Sequence, residues 1–107
     1  MMKYILLILC SLTIGGCTIM TPPKTVQVDI LKFKFTPADI TINKGDTVIW
    51  VNQEKRQYHS VWFEQLGEPE PDYFFPGESF SRKFNEIGDF PYRCGPHPKM
   101  LGQVTVK

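Results

Sequence analysis

The sequence predicts an all-β protein, a Greek-key β-sandwich of about seven short strands. Apolar and polar residues alternate with a period of two in several short segments, which is typical of strands buried on one face. Turn residues recur roughly every 8 to 12 residues, and no segment combines helical spacing with capping residues. The 107 residues leave room for one such domain.

The N-terminus has the pattern of an export signal, and we assign residues 1–16 to a signal peptide of the lipoprotein type. A short positive head ending at Lys3 precedes a mostly apolar run over residues 4–14. This run is shorter than the roughly 20 apolar residues that span a bilayer. It ends in Leu-Thr-Ile-Gly-Gly before Cys17, which resembles a bacterial lipobox, so we expect Cys17 to be lipidated. An ordinary signal peptide that happens to end near a cysteine is the alternative.

Residues 17–24 are expected to be the lipidated cysteine and a short tether, because the pair Pro22-Pro23 cannot form helix. The folded domain then covers residues 25–107. Without Lys3 the mature chain has equal numbers of basic and acidic residues, which argues against a nucleic-acid binder. Acyl chains would hold the protein at a membrane surface. We therefore expect an exported monomer, periplasmic or on the cell surface.

Alternation over residues 25–35 predicts the first half-buried strand, and the pattern resumes at residues 40–42. After a turn at residues 43–46, the β-branched and aromatic run at residues 47–51 predicts a central strand buried on both faces. Residues 58–63 predict a further strand, with His59 near its beginning.

The stretch from Glu64 to Pro76 is predicted to be the longest irregular segment. Strands are predicted again at residues 79–84, 90–94 and 104–106. The two tryptophans, Trp50 and Trp62, fall in predicted strands and are interpreted as core. The irregular segment carries four acidic residues, which are either a solvated surface or a means of steering a basic partner: Glu64, Glu68, Glu70 and Asp72.

A thiol, an imidazole and a thioether recur at three-residue intervals in Cys94, His97 and Met100. Such ligands select copper over magnesium or calcium. The chain contains only two histidines, so His59 is the one imidazole that can join them. Two histidines, a cysteine and a weak axial methionine are the ligand set of an electron-transfer copper centre. Cys10 would leave with the signal and Cys17 would be acylated, so Cys94 has no disulfide partner.

Residues 90–106 resemble the C-terminal hairpin of the cupredoxins, the small blue copper proteins, and the short Cys-x-x-His-x-x-Met loop is most similar to that of the amicyanins. The resemblance implies a copper ion cycling between Cu(I) and Cu(II) and single-electron transfer between redox partner proteins. The implied ligands are His59, Cys94, His97 and Met100. It further implies that His97 lies at the surface as the electron port, with a docking patch around it formed by Pro96, Pro98 and Leu101.

The chain departs from the family around the first histidine. Family members often place an asparagine after that histidine and a proline before it, whereas this chain has Ser60 and Tyr58. Asn52 is a candidate for the residue that braces the preceding loop. These departures bear on the surroundings of the ligands more than on the ligands themselves.

Two alternatives to an electron carrier stay open on the sequence. A copper carrier or scavenger would be expected to use several exposed methionines, but besides Met100 the mature chain keeps only Met20. A β-sandwich without metal, or a zinc site on Cys94 and the two histidines, is the second alternative. An enzyme is not expected, because the sequence shows no paired carboxylates, no nucleophile with a base and no phosphate-binding loop.

Overall fold

The computed structural model describes residues 22–107, and these residues form seven β-strands and a single 3₁₀ turn, Glu64–Leu66. The strands are β1 (Thr25–Leu31), β2 (Lys34–Thr36), β3 (Asp39–Ile42), β4 (Thr47–Asn52), β5 (Ser79–Lys83), β6 (Gly88–Arg93) and β7 (Leu101–Val106). Within this part of the chain, no helix is long and apolar enough to cross a membrane. The predicted signal peptide and Cys17 lie outside the described residues.

The strands form two sheets, which confirms the predicted β-sandwich. One sheet has the order β2-β1-β4-β5 and the other the order β3-β7-β6. The pairs β1/β4 and β3/β7 are parallel, whereas the remaining pairs are antiparallel. Parallel strands need a crossover connection, and here each crossover passes through the other sheet: β3 lies between β1 and β4 in the chain, and β4 and β5 lie between β3 and β7.

The core lies between the sheets and follows from the alternation in the sequence. Inward positions of β1, β4 and β7 are almost fully buried, and they are Val28, Ile30, Val48, Trp50, Val104 and Val106. Strand β4 lies between β1 and β5, so the prediction of a central strand is confirmed. Its outward residues are only half-buried, so the prediction of burial on both faces is wrong. The helices that would cover the outer face in a parallel α/β sheet do not occur in the described residues.

The predicted strand at residues 25–35 is two strands. The chain reverses at Lys32 and Phe33, which have positive φ values of 54° and 57°, and Phe35 then pairs antiparallel with Ile30. Two consecutive residues with positive φ form the type of turn that matches strand twist in a tight hairpin. Neither residue is a glycine or an asparagine, so the composition gave no turn signal.

The predicted strand at residues 58–63 is wrong. This segment makes only two isolated bridges, one between His59 and Phe74 and one between Trp62 and Arg93. The segment crosses the end of the sandwich, where its neighbours are another loop and the last residue of β6. It therefore has no continuous partner strand, although its residues have high β-propensity.

The two tryptophans differ in their environment. Trp50 is fully buried, as expected for core. Trp62 is only half-buried: its indole lies beneath the guanidinium of Arg93, 4.5 Å from the ring centroid, and donates a 2.8 Å hydrogen bond to the carbonyl of Glu68. The interpretation of Trp62 as core is therefore wrong, and its ring instead attaches the irregular segment to the end of β6.

Tyr92, in β6, is a buried phenol whose ionisation lowers the stability of the fold at alkaline pH. Its hydroxyl accepts a 3.1 Å hydrogen bond from Trp50 Nε1. Burial raises the pKa of Tyr92 to about 12, and the hydrogen bond from Trp50 offsets part of this effect. The unfolded chain ionises this phenol near pH 10, so the fold favours the neutral form. Its stabilising contribution is complete below pH 10 and is lost as the pH rises towards 12.

We therefore expect the free energy of unfolding of the metal-free protein to fall by about 2–3 kcal/mol over this interval. Urea unfolding at a series of pH values measures the effect. The Tyr92→Phe variant should lose stability at neutral pH, because Trp50 Nε1 is left unpaired, but its alkaline decline should be shallower. An equally steep decline in this variant would assign the effect to other groups.

Candidate metal centre

The loop between β6 and β7 carries three of the four predicted ligands at one end of the sandwich. It runs from Cys94 to Met100, and its ends are joined by a 3.0 Å hydrogen bond from the Cys94 N–H to the Met100 carbonyl. Inside the loop the Met100 N–H donates to the His97 carbonyl, also at 3.0 Å. Prolines on both sides of His97 fix its neighbours' φ angles. The loop is thus a closed and stiff turn.

His59 reaches the same end from the long loop between β4 and β5. Its N–H and carbonyl both pair with the backbone of Phe74, at 3.1 and 2.9 Å. The two backbone bonds between Trp62 and Arg93, at 2.8 and 3.0 Å, attach the same segment to β6. The histidine is therefore fixed by backbone contacts on both sides, although it does not lie in a regular strand.

The two histidines and the cysteine converge on one point. Cys94 Sγ lies 3.6 Å from His59 Nδ1 and 3.4 Å from His97 Nδ1, and the two Nδ1 atoms are 3.2 Å apart. Donors bonded at 2.0–2.3 Å to one metal ion, in trigonal or tetrahedral geometry, lie about 3.3–3.8 Å from one another. The triangle is therefore close to the size that one metal ion requires, and the donor types suit copper or zinc.

Burial has opposite effects on the histidine and the cysteine: it favours the metal-binding form of His59 and opposes that of Cys94. His59 and Cys94 have no exposed surface, whereas His97 is half-buried. Desolvation lowers the pKa of His59 and raises the pKa of the Cys94 thiol. The imidazole is thus neutral, with a lone pair available, and the thiol must release its proton when a metal binds.

Ser60 contacts both the sulfur of Cys94 and the backbone N–H that follows Cys94 in the chain. Its N–H points at Cys94 Sγ from 3.4 Å, and its hydroxyl oxygen accepts a 2.8 Å hydrogen bond from the Gly95 N–H. A Cβ on Gly95 would lie 2.8 Å from that hydroxyl oxygen, closer than van der Waals contact allows, so the glycine permits this approach. Ser60 thus supplies a hydrogen bond to the sulfur at the position where the family often has asparagine.

Met100 and Asn52 complete the surroundings. Met100 is buried, with 5% of its surface exposed, and belongs to the hydrophobic core. Asn52 is also buried and braces the loop that leads to His59: its side-chain N–H groups donate to the carbonyls of Gln57 and Phe74, and its Oδ1 accepts from the Glu54 N–H. The loop-bracing role expected for Asn52 is confirmed.

Exposed aromatic side chains surround His97. The ring of Phe33 meets that of His97 edge-on at 4.9 Å between centroids, and Tyr58 lies 6.4 Å away. Tyr58 in turn stacks on Tyr73 at 5.4 Å and contacts Phe75. We call this set, Phe33, Tyr58, Tyr73 and Phe75, the aromatic surface. Its members are 41–54% exposed. Sequence analysis did not identify them, because they are far apart in the chain: Phe33 lies in the β1–β2 turn, and the other three lie near the two ends of the β4–β5 loop.

Three of the four acidic residues of the irregular segment bond to other side chains. Glu64 pairs with Arg93, and Arg82 Nη1 lies 2.9 and 3.0 Å from the two carboxylate oxygens of Glu68. Glu70 accepts a 2.9 Å hydrogen bond from the Tyr73 hydroxyl. The two arginines neutralise Glu64 and Glu68, so only two of the four negative charges remain for steering a partner, and the paired part of the segment is a solvated surface.

Comparison with known proteins agrees with this geometry. Residues 23–107 match the family of copper binding proteins described as the plastocyanin/azurin family. The chain is 37% identical over 90 residues to amicyanin from Paracoccus versutus, covering 80% of this chain and 67% of that protein. It is 36% identical over 85 residues to plastocyanin from Scenedesmus fuscus, covering 68% of this chain and 86% of that protein.

A solved structure gives the same result. The reduced Cu(I) form of an amicyanin variant superimposes with a TM-score of 0.71 at 34% sequence identity, covering 78% of this chain and 82% of that one. The sequence match, the shared fold and the convergent histidines and cysteine agree with one another. The chain belongs to the plastocyanin/azurin family of copper-binding proteins, the cupredoxins, and copper is its cofactor.

Proposed function

We propose that the protein is an exported, lipid-anchored electron carrier that binds one copper ion through His59, Cys94, His97 and Met100. The triangle of donor atoms, 3.2–3.6 Å on a side, carries this proposal, because two imidazole nitrogens and a thiol at this spacing can bind one metal ion. The buried Met100 follows in the same loop and is the candidate for the weak axial ligand. Copper in such a site supplies reversible one-electron chemistry.

The protein's contribution to electron transfer is rigidity. The backbone pairs at His59 and the closed loop from Cys94 to Met100 hold the backbone of the ligand residues in place. Residues that are held in place need not rearrange when the charge of the site changes, so little reorganisation opposes transfer. The Ser60 N–H near Cys94 Sγ would stabilise the thiolate in both oxidation states of the copper.

His97 is the proposed port for the electron. It is the half-buried member of the set, whereas His59 and Cys94 have no exposed surface. The aromatic surface beside it offers a largely apolar contact area to a redox partner protein, a type of surface that marks interaction sites. Exposed Pro98 and Leu101 extend this area, as proposed from the sequence, while Pro96 is only half-buried.

We also propose that residues 1–16 are removed and that Cys17 carries the lipid that anchors the protein to a membrane. The sequence before Cys17 supports this, and residues 18–24 would then separate the lipid from β1. Globomycin, which blocks lipoprotein signal cleavage, should leave the uncleaved precursor in cells that express the full chain. Processing that is unaffected by globomycin would refute the lipid anchor.

A visible absorption spectrum of the purified protein with one equivalent of Cu(II) tests the carrier function. We expect an intense band in the red region that disappears with ascorbate and returns with ferricyanide, together with fast electron self-exchange. If copper binds but passes readily to an acceptor protein while electron exchange is slow, the protein is a copper carrier. If copper does not bind, the proposed function is wrong.

The Met100→Leu variant tests the axial position. Leucine replaces methionine in a core at a cost below about 1.5 kcal/mol, so the fold and the bound copper should be retained. Loss of the sulfur should weaken Cu(II) binding more than Cu(I) binding and raise the reduction potential. A tenfold change in relative affinity corresponds to a rise of about 59 mV. Voltammetry measures this, and an unchanged potential would assign Met100 to packing alone.

A further inference from the structure

Glu54 lies behind His59, on the side of the imidazole opposite Cys94. Its side chain is only 10% exposed. One carboxylate oxygen, Oε1, lies 3.3 Å from His59 Nε2 and accepts a 2.8 Å hydrogen bond from the Phe33 N–H. The Glu54 N–H donates to Asn52 Oδ1 at 2.9 Å. The carboxylate is therefore fixed in place and is not a solvated charge of an ordinary loop.

The position of this carboxylate decides which nitrogen of His59 carries the proton. A carboxylate can only accept a hydrogen bond, so Nε2 must be protonated to face it. The other nitrogen, Nδ1, faces Cys94 Sγ and His97 Nδ1, and it keeps its lone pair in this tautomer. Histidines that bind metals commonly present their second N–H to a carboxylate, which fixes the ring and makes the ligand more basic.

The same oxygen also holds the turn that carries Phe33. Lys32 and Phe33 both have positive φ, a conformation that is unfavourable for residues other than glycine and that needs a compensating contact. The hydrogen bond from the Phe33 N–H to Glu54 supplies one. The Phe33 ring then lies edge-on to both imidazoles, with its centroid 5.8 Å from that of His59 and 4.9 Å from that of His97.

We propose that Glu54 is a positioning residue of the copper centre: it fixes the tautomer and ring orientation of His59, holds Phe33 against both histidines, and favours Cu(II) over Cu(I). The last effect follows because a negative charge hydrogen-bonded to a ligand favours the more positive ion. The inference rests on the proposed copper site, but its first readout requires no bound metal.

Nitrogen-15 NMR of the imidazole rings in the metal-free protein provides that readout. In the unmodified protein His59 should carry its proton on Nε2. The Glu54→Gln variant keeps an oxygen that can accept from both N–H groups, so this tautomer should persist. The Glu54→Ala variant removes the acceptor and should give a mixture of tautomers. A proton on Nδ1 in the unmodified protein would overturn the proposal without any variant.

Copper affinity and reduction potential give the second readout. Removing a residue that supports a metal ligand typically costs about 10–100-fold in metal affinity, and we expect Glu54→Ala to lose this much affinity for Cu(II). Glu54→Gln should keep most of the hydrogen bonding and still raise the potential, because it removes the charge. A tenfold loss of Cu(II) affinity relative to Cu(I) corresponds to about 59 mV.

Glu70→Gln is the matched control. The Glu70 carboxylate lies beside Gly95, next to Cys94 in the chain, but it is exposed and bonded to Tyr73 instead of to a histidine. Its replacement removes a nearby charge without touching a ligand ring. If both Glu54 variants shift the potential no more than Glu70→Gln does, the effect is net charge alone and the proposal is wrong.

The two readouts also separate this inference from the proposed function. Slow electron exchange with a Glu54-dependent tautomer would refute the electron carrier and support the positioning role. Fast electron exchange, together with a His59 tautomer that is unchanged in Glu54→Ala, would support the electron carrier and refute the positioning role of Glu54. Should Glu54→Ala fail to fold, the unmodified protein and Glu54→Gln still decide the question through the tautomer and the potential.

Discussion

Replacing Cys94 with serine is expected to remove the intense red-region absorption of the copper-loaded protein while the β-sandwich stays folded. The colour of a blue copper site depends on the copper–thiolate bond, and a serine hydroxyl does not ionise to replace the thiolate at neutral pH. The fold should tolerate the change, because serine is nearly the same size and can accept a hydrogen bond from the Ser60 N–H, which points at the sulfur.

Absorption and circular dichroism of the loaded Cys94→Ser variant measure colour and fold separately. Met100→Leu is the matched control, since it changes another buried residue of the same loop and should stay coloured. A Cys94→Ser protein that remains intensely blue would rule out Cys94 as a ligand. If Met100→Leu also lost all colour, the loop as a whole would be too sensitive for either variant to identify a ligand.

The Gly102→Ala variant is expected to have the largest effect on stability. Gly102 in β7 is the cross-strand partner of Tyr92 in β6, and the tyrosine ring lies directly over it. A Cβ at this position would overlap with Cζ and Oη of that ring. The ring has little freedom to move, because it packs against Phe35 at 4.8 Å and Trp50 at 5.3 Å between centroids.

We therefore expect Gly102→Ala to lower the free energy of unfolding by about 1–3 kcal/mol or more, as overpacked cores do. Urea denaturation of the metal-free protein measures the loss. Thr105→Ala, at a half-buried position of the same strand, is the control. It removes a hydroxyl that donates to Asp89 and accepts from Gln103, so it should lower the free energy of unfolding by no more than about 1 kcal/mol. Equal stability of the two variants would mean that the ring can move aside.

Tyr92→Leu tests the cause of the loss in Gly102→Ala. The smaller side chain makes room for the new methyl group, so the double variant should lose less stability than the sum of the two single variants. Residues in direct contact commonly show such coupling, of about 0.5–3 kcal/mol. Strict additivity would assign the cost of Gly102→Ala to the backbone instead of the ring.

The local pattern of apolar, polar and β-branched residues was sufficient to predict most strands. The alternation at residues 79–84 and the β-branched runs at residues 47–51 and 104–106 correspond to β5, β4 and β7, because inward and outward positions differ within a few residues of sequence. The pattern was insufficient where the backbone conformation depends on which segments lie next to it in the fold. Residues 58–63 have the composition of a strand, but they cross the end of the sandwich and find only isolated bridges.

The surroundings of the copper site depend on contacts that are distant in the chain. Glu54 bonds to Phe33, 21 residues earlier, and Ser60 bonds to Gly95, 35 residues later. From sequence alone, Glu54 is one charge in a polar loop and Phe33 is one apolar residue in an alternating run. Nothing within either segment indicates that the carboxylate faces an imidazole or that the ring lies beside His97.

The sequence by itself determined the identity and order of the candidate copper ligands, because soft ligands are few in this chain and three of them recur at fixed spacing. It also determined the alternation that builds two sheets. The tertiary structure alone decided that His59, Cys94 and His97 meet within 3.2–3.6 Å, that Glu54 stands behind His59, and that aromatic rings surround the exposed edge. The physical reason is that a ligand's type is a property of one residue, whereas its orientation depends on hydrogen bonds and packing between loops that only the folded sandwich brings together.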